Sequence, residues 1–577
     1  MKKFWLLLLI LHACTSEKKS VLYDFTTTFE TSKGMETATY DETMVFYTQL
    51  AETYPEINIQ RIGTTDAGRP LHLVTLNADA HFNFAEIRKT KRLLLIMNGI
   101  HPGEPDGIDA TMLLFRDLVQ GKIDMPKSTV LVTIPIYNVG GSLNRNSTSR
   151  TNQNGPETYG FRGNARNYDL NRDFIKCDTR NARTFVEIFQ RVQPDVFIDN
   201  HVSNGADYQY TLTHLFTQHN KLGGNLGNYV HDELMPNLVE SLSEKSLDIT
   251  PYVNVFNTVP EKGFAQFMDS PRYSTGYASL WNSLGLMVET HMLKPYKQRV
   301  EGTYELMKSM VEIIETEGDK ISDLRKEAFV TYRKLSSYPI QWQIDTTQSS
   351  TLQFKGFEGE LIHSELTGAK RLKYDRSKPF EKPVVYADYF KPSLEVQIPK
   401  AYVIPQGWWQ VIDLLKLNQV SMTQIQSDTT FSVSTYRIKD YETRTVAYEG
   451  HYPHYNVKVE TNMQEQHFLK GDYLISTQQD AIRYLLETLE PQAVDSFFSW
   501  NFFDTILQQK EGFSPYVWED KAVEMLEQQP QLKKAFELKK SENTDFANNW
   551  YAQLDWLHKQ SVHYEKAHLA YPVYRLF

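Results

Sequence analysis

The chain has 577 residues, of which 41% are hydrophobic and 13% aromatic, so it is long enough for two or three domains with buried cores. Its formal net charge is −10 and its isoelectric point is about 5.9. Because no basic patch or nucleic-acid motif interrupts this acidic balance, we expect no binding to nucleic acid.

Residues 1–16 have the pattern of an export signal. Lys2 and Lys3 precede an apolar run at residues 4–11, which is too short to span a bilayer comfortably as a helix. We therefore predict a signal peptide that directs secretion across the inner membrane.

Residues 11–14, Leu-His-Ala-Cys, resemble a bacterial lipobox, in which the cysteine receives a lipid, although His12 departs from the usual small residue. We expect a lipoprotein on the periplasmic or cell-surface side, held to the membrane only through Cys14, with residues 17–39 as a polar tether. An ordinary signal peptide that contains a cysteine is the alternative. With Cys14 lipidated, Cys177 is the one remaining thiol, so no internal disulfide is expected.

Residues 40–335 alternate between helical and strand patterns, and a long amphipathic helix at residues 300–335 closes this part. The other helical patterns and the apolar strands lie at residues 41–54, 92–97, 106–119, 179–192, 196–200 and 284–288. This alternation predicts an α/β domain with a mainly parallel or mixed sheet flanked by helices.

Polar residues follow three of these apolar strands directly. His101 and Glu104 follow the first, His201 the second and Glu289 the third. The carboxyl ends of strands in such a sheet face one crevice, so these groups converge. Zinc favours imidazole and carboxylate ligands, and a catalytic site keeps three protein ligands and one water. A lone His-x-x-Glu is a weak signal, but together these residues predict one zinc ion per chain held by His101, Glu104 and His201, with Glu289 beside it as a base.

The pattern of apolar and polar residues changes after residue 335. Residues 336–471 contain short alternating stretches that predict a β-rich accessory module, although residues 401–415 read as a strand followed by a helix. Residues 472–577 are rich in helix formers and aromatic residues, which predicts an α-rich C-terminal region.

Further polar motifs fall in a fixed order between the strands. Arg162 stands nine residues before Asn171-Arg172, His201 follows, and Tyr273 precedes Glu289. With the His-x-x-Glu pair, this order resembles that of the M14 family of zinc metallocarboxypeptidases, of a bacterial secreted or lipoprotein type with a C-terminal extension. The resemblance covers residues 40–315 and implies a carboxypeptidase-like fold.

The resemblance also implies a role for each motif. Glu289 is similar to the general base that activates zinc-bound water. Arg162 resembles the cation that stabilises the developing oxyanion. Asn171 and Arg172 resemble the clamp for the substrate's terminal carboxylate, so the implied partner is a peptide with a free C-terminus.

The sequence leaves two assignments in the substrate site undecided. Tyr273 is similar to the tyrosine that closes over the substrate, but its separation from Glu289 is shorter than in the digestive enzymes, so Tyr277 is a rival. Arg145 and Arg150 lie in a polar loop and are candidates for substrate binding, with solvated loop arginines as the alternative.

We therefore predict a zinc-dependent carboxypeptidase that hydrolyses C-terminal residues from peptides outside the cytoplasm. A zinc-dependent deacylase of small N-acyl amino acids or cell-wall peptides is one alternative, and a non-catalytic binding lipoprotein is another. The Asn171-Arg172 pair favours the peptidase, and the complete ligand set argues against the binding protein. Ser279, Leu280 and Ser283 offer no acid, which favours apolar or small terminal residues.

Overall fold

The structure is a computed structural model that describes residues 23–577. The predicted signal peptide at residues 1–16 and the predicted lipid site at Cys14 lie outside the described residues. Within residues 23–577, no helix combines the length and the apolar character that a membrane crossing requires.

The strands and helices of the described residues are numbered in chain order. The strands are β1 (Ile57–Ile62), β2 (Leu71–Leu76), β3 (Arg92–Met97), β4 (Thr129–Ile134), β5 (Val196–Ser203), β6 (Leu212–Phe216), β7 (Ile249–Pro251), β8 (Phe264–Ala265), β9 (Leu284–His291), β10 (Ser337–Ile344), β11 (Ser350–His363), β12 (Lys370–Ala387), β13 (Phe390–Gln397), β14 (Ala401–Ile404), β15 (Thr423–Gln424), β16 (Thr429–Thr443), β17 (His454–Phe468), β18 (Tyr473–Ser476) and β19 (Tyr574–Leu576). The α-helices are α1 (Thr28–Thr31), α2 (Tyr40–Thr53), α3 (Phe84–Thr90), α4 (Asp106–Val119), α5 (Val139–Leu143), α6 (Arg180–Val192), α7 (His219–Leu222), α8 (Gly224–Tyr229), α9 (Met235–Glu244), α10 (Ser274–Ser279), α11 (Tyr296–Tyr332), α12 (Trp409–Leu417), α13 (Ile482–Leu489), α14 (Pro515–Gln528), α15 (Pro530–Glu542), α16 (Thr544–Ala547) and α17 (Trp550–Lys559). Short 3-10 helices occupy Leu170–Arg172, Pro260–Lys262 and Asp504–Leu507, and a π-helical turn joins α8 to α9 at Val230–Leu234.

A mixed eight-stranded sheet forms the centre of the first part of the chain, in the order β1-β2-β4-β3-β5-β9-β6-β7. The strands β4, β3, β5 and β9 run parallel to one another. The pairs β1–β2, β2–β4 and β6–β9 are antiparallel, and β7 runs parallel to β6. Every residue of β5 and β9 is buried, as expected for strands covered on both faces. This sheet confirms the predicted α/β class.

Helices cover both faces of this sheet. Side chains alternate along a strand, and on β5 the Asn200 amide donates to Met307 Sδ of α11, whereas Phe197 packs edge-to-face against Phe189 of α6. Helix α4 packs on the same side as α11. Helix α4 begins and ends where the sequence predicts. The strands β5 and β9 run further than predicted because their pairing continues to Ser203 and His291, so His201 and Glu289 lie within the strands.

The segment predicted as a tether differs from that expectation in residues 24–39. Phe25 and Phe29 are buried in the main core, with exposed fractions of 8% and 5%. Thr27 caps the short helix α1 reciprocally with Glu30, and Glu30 also pairs with Arg116 of α4 at 2.6 Å. Two buried rings and a capped helix therefore attach this segment to the domain.

The part after residue 335 contains a two-stranded sheet, a three-stranded sheet that includes β8, and a six-stranded sheet in the order β15-β18-β14-β19-β16-β17. The β-rich character predicted here, and the helical character of the region after it, are confirmed. Because β18 and β19 come from beyond residue 471, one sheet crosses the boundary predicted at residues 471/472. The domain boundaries themselves stay a prediction.

The core of the first part continues into the C-terminal part. Arg483 of α13 is fully buried and donates to the carbonyl oxygens of Ser279 and Lys221 and to Asn282 Oδ1, at 2.8 to 2.9 Å. Nearby, the Trp281 ring stacks on Tyr484. Burying the Arg483 guanidinium without these acceptors would destabilise the fold. The C-terminal part therefore depends on acceptors that the first part supplies.

Candidate metal centre and active-site cavity

Three side chains form a compact buried group at the carboxyl edge of the central sheet. The loop after β3 carries His101 and Glu104, and β5 carries His201. One ligand atom of each residue lies within 4.8 Å of the others, and the exposed fractions are 2%, 3% and 4%. Glu104 Oε2 lies 3.3 Å from His101 Nδ1 and 3.1 Å from His201 Nδ1. The fold therefore brings together His101, Glu104 and His201, the three residues that the sequence predicts as metal ligands.

Each histidine of this triad is oriented by a carboxylate on its far side. His101 Nε2 lies 2.9 Å from Asp169 Oδ1, and His201 Nε2 lies 2.8 Å from Asp199 Oδ2. Such a partner orients the imidazole ring, because an Nε2–H group that donates a hydrogen bond to the carboxylate leaves Nδ1 to face a metal ion. Nδ1 of each histidine lies on the side of Glu104, at 3.3 and 3.1 Å from its Oε2.

The triad fits a zinc ion. His101 Nδ1 is a buried polar atom without a hydrogen-bond partner, which is costly unless another group occupies its lone pair. Two imidazole nitrogens and one carboxylate are a donor set that catalytic zinc sites use. His101, Glu104 and His201 are thus the residues that would hold the metal.

Glu289 lies beside the triad because of the strand register. In the parallel pair β5 and β9, His201 is the register partner of Glu289. The carboxyl group is buried and lines the same cavity as the triad. Burial is the main cause that raises the pKa of Glu289 to about 8; His201 lowers it, and the Glu104 carboxylate raises it.

Two arginines contact the carboxylate of Glu104, one of the three triad residues. Arg150 Nη1 lies 2.8 Å from Glu104 Oε1, and Arg162 Nη1 lies 3.4 Å from that oxygen. Arg162 also donates from Nε to Asp169 Oδ2 at 3.0 Å, yet 45% of its side chain is exposed. Arg145, the other loop arginine, does not line this cavity; it donates to the Thr158 carbonyl and hydroxyl, and so holds its own loop.

Asn171, Arg172 and Tyr273 also line the cavity. The Arg172 guanidinium lies 4.5 Å from the centre of the Tyr273 ring, a cation–π arrangement. Asn171 Oδ1 accepts from the Ser274 backbone amide at 3.1 Å, which ties the short helix Leu170–Arg172 to the start of α10.

Tyr277, the predicted rival of Tyr273, is not brought to the cavity. Its ring is fully buried among Phe174, Phe185 and Phe189, and its hydroxyl donates to Asn418 Oδ1 at 2.7 Å. The difference arises because Tyr273 is the N-cap of α10, whereas Tyr277 lies inside the helix on its core side.

The cavity measures about 540 Å³ and has an apolar wall that the sequence did not indicate. Leu215 of β6 pairs directly with Met287 of β9, and Phe267 packs edge-to-face on Tyr273. Met287 was accessible to sequence reasoning, because it lies two residues before Glu289 and so on the same strand face. The cavity lining does not include Ser279, Leu280 or Ser283, which the sequence suggested.

Arg150, a candidate from the sequence for substrate binding, does line the cavity, where it pairs with Glu104. The polar lining residues Tyr252 and Asn254 were missed. Tyr252 and Asn254 follow β7, in a segment without a helical or strand period. Asp169 and Asp199 carried a signal, since each lies within a motif or strand already singled out. Residues such as Tyr252 and Asn254, in a loop without periodicity, give no sequence signal that they line the cavity.

Residues 43–197 match the family model described as zinc carboxypeptidase. Carboxypeptidase 2 of Trichophyton rubrum is 22% identical over 497 residues, covering 81% of this chain and 85% of that protein. Carboxypeptidase 2 of Trichophyton equinum is 23% identical over 507 residues, with the same shares. Since 81% of this chain is more than residues 1–335 contain, the similarity extends into the C-terminal part.

Solved structures of lower similarity include a metallo-carboxypeptidase from Burkholderia cenocepacia, with 15% identity and a TM-score of 0.37, covering 49% of this chain and 70% of that chain. Carboxypeptidase A from Helicoverpa armigera has 13% identity and a TM-score of 0.37, covering 49% of this chain and 74% of that chain.

Replacing one ligand tests the metal centre. His101→Ala removes a buried donor, so we expect loss of stoichiometric zinc, measured by elemental mass spectrometry after gel filtration. The control is His291→Ala: His291 is also a buried histidine, but it stacks on Tyr208 and pairs with Asp207. One zinc per chain in His101→Ala protein would contradict the assignment.

Proposed function

We propose that this chain, a zinc metallocarboxypeptidase of the M14 family whose family model matches residues 43–197, removes apolar residues one at a time from the C-termini of peptides outside the cytoplasm. This proposal is supported by the grouping of three kinds of side chain in one cavity. The cavity holds a zinc-competent triad, the buried carboxylate of Glu289 and the guanidinium of Arg172.

The chemistry is divided between the metal and the protein. Zinc on the triad supplies a Lewis acid that polarises the scissile carbonyl and makes water a stronger acid. Glu289 is positioned to accept the proton of the attacking water and to return it to the departing amine. A cation on the triad favours the ionised form of Glu289, which is the form that accepts a proton.

Arg162 supports this reaction by its charge. Its guanidinium is held between Asp169 and Glu104 but is open to the cavity. Fixed positive charge of this kind stabilises negative charge that develops on the carbonyl oxygen, at no reorganisation cost during the reaction.

Arg172 and Asn171 make the proposed enzyme an exopeptidase. A guanidinium has several N–H donors in one plane and can hold a carboxylate through two hydrogen bonds. The stacked Tyr273 ring and the hydrogen bond from Arg172 Nη1 to the Asn171 carbonyl hold that plane in place. A substrate with a free terminal carboxylate then places its last peptide bond near the triad.

The apolar wall supports the preference for the terminal side chain. Leu215, Phe267 and Met287 line the cavity beside Arg172 and Glu289. Each methylene that a pocket of this kind buries contributes about 1–3 kcal/mol to discrimination.

The export proposal rests on the sequence of residues 1–16, which lie outside the described structure. We expect full-length protein in the membrane fraction of the producing cell and the Cys14→Ser variant in the soluble extracytoplasmic fraction, measured by fractionation and immunoblotting. A soluble wild-type protein would count against the lipid anchor.

The activity is tested with a diverse peptide pool and mass spectrometry, using zinc-loaded protein that lacks residues 1–16. We expect stepwise loss of apolar C-terminal residues. Glu289→Gln, which preserves the size of the side chain, should retain zinc and lose about 10²- to 10⁴-fold in turnover. No cleavage by zinc-loaded wild type would contradict the peptidase and favour a deacylase.

The clamp is tested by Arg172→Ala with Arg145→Ala as the matched control, because Arg145 lies outside the cavity. We expect Arg172→Ala to raise KM about 10- to 100-fold for peptides with a free C-terminus, as loss of a charge-assisted pair implies. Arg145→Ala should leave KM unchanged. Equal cleavage of free and amidated C-termini by the wild type would refute the clamp.

A further inference from the structure

The turn between β16 and β17 of the C-terminal part reaches the active-site loop of the first part. Tyr448 and His451 close it by exchanging backbone hydrogen bonds at 2.8 and 3.1 Å. Glu449 and Gly450 between them have φ of +50° and +79°. This is a two-residue hairpin turn of the kind that favours Asn, Asp or Gly at both central positions.

Glu449 contacts the residue on which three parts of the site converge. Its Oε2 accepts the backbone N–H of Asp169 at 2.8 Å. The Asp169 carboxylate contacts His101 Nε2 and Arg162, and it caps the short helix that carries Arg172 by accepting from the Asn171 amide.

The surrounding contacts fix the turn against this loop. His451 Nε2 lies 2.8 Å from Asp178 Oδ2. A Cβ at Gly450 would lie 2.5 Å from the Tyr168 hydroxyl, so only glycine allows this approach. Asp495, also from the C-terminal part, pairs at 2.7 Å with Arg272, the neighbour of Tyr273.

Two features of Glu449 are unfavourable for a turn that serves only to connect strands. A glutamate at positive φ lacks the local hydrogen bonding that makes Asn and Asp tolerable there. Its carboxyl group is half-buried near that of Asp169, and burial, followed by Asp169, raises the pKa of Glu449 although the Asp169 amide lowers it. The hydrogen bond from the Asp169 amide is the favourable interaction that offsets these two costs.

We propose that Glu449 is a positioning residue of the active site: by accepting the Asp169 amide, it fixes the carboxylate that orients His101 and Arg162 and starts the helix of Arg172. The inference rests on the proposed function for its catalytic consequence. Its structural consequence, the order of the Asp169 loop and the affinity for zinc, does not depend on which reaction the protein catalyses.

The test separates positioning from folding by the choice of Glu449→Asn. Asparagine suits the turn, so thermal stability should be unchanged or higher, but its side chain is one methylene shorter and does not reach Asp169. We expect zinc affinity, measured by chelator competition on the full chain, to fall about 10-fold, and kcat to fall by a similar factor. Amide hydrogen exchange in residues 161–172 of the metal-free protein should become faster.

Two further variants complete the test. Glu449→Gln keeps the length and an acceptor oxygen, so it should retain zinc affinity, exchange and kcat within about 2-fold of wild type. Glu442→Asn is the control, since Glu442 is an exposed acid of the same hairpin. Wild-type zinc affinity and exchange in Glu449→Asn protein would overturn the proposal, as would equal losses in Glu449→Asn and Glu442→Asn. Loss of kcat in Glu449→Gln without a change in zinc affinity or exchange would also overturn it, because charge and not hydrogen bonding would then be the cause.

Discussion

The parallel register between β5 and β9 sets the geometry on which the site depends. Hydrogen bonds along the two strands pair His201 with Glu289, so a candidate metal ligand and the proposed base are neighbours within the central sheet. A slip of one residue would turn Glu289 to the other face of the sheet. Both strands are buried along their whole length, which makes such a slip expensive. The loops that carry the remaining ligands and arginines are arranged around this fixed pair.

The charges around the cavity are favourable for a bound cation. Four carboxyl groups and three guanidinium groups lie in or directly behind it: Glu104, Asp169, Asp199 and Glu289, with Arg150, Arg162 and Arg172. In a site of low dielectric constant, an uncompensated negative charge is costly. The raised pKa of Glu289 is one expression of that cost. A divalent ion on the triad would offset this excess negative charge, so both the ligand types and the charges of the site are compatible with a metal ion.

Sequence patterns were sufficient where periodicity or strand position decides the outcome. The apolar runs of β3, β5 and β9 predicted that His101, His201 and Glu289 lie near one another, because parallel strands share an edge, although β5 and β9 continue past His201 and Glu289. Patterns left the outcome open where a small shift of a helix boundary decides it. Which of Tyr273 and Tyr277 faces the cavity depends on where α10 begins.

The apolar wall and the turn at Glu449 were beyond sequence reasoning for a different reason. Leu215 belongs to an antiparallel strand 74 residues before Glu289, and pairing partners of that kind have no local signal. Glu449 lies 280 residues after Asp169. The contact exists because separate strand pairings in the C-terminal part direct the turn, and neither short segment indicates it.

The position of β19 has a consequence for biogenesis. Residues 574–576 form an inner strand of the six-stranded sheet, between β14 and β16. Until the ribosome has synthesised them, a nascent chain leaves β14 and β16 as open edges, which are prone to wrong pairing. Because β16 leads into the turn at Glu449, the sheet that β19 completes also supports the turn that contacts Asp169. Residues 574–576 are thereby connected, through one sheet and one turn, to the loop beside the candidate metal centre.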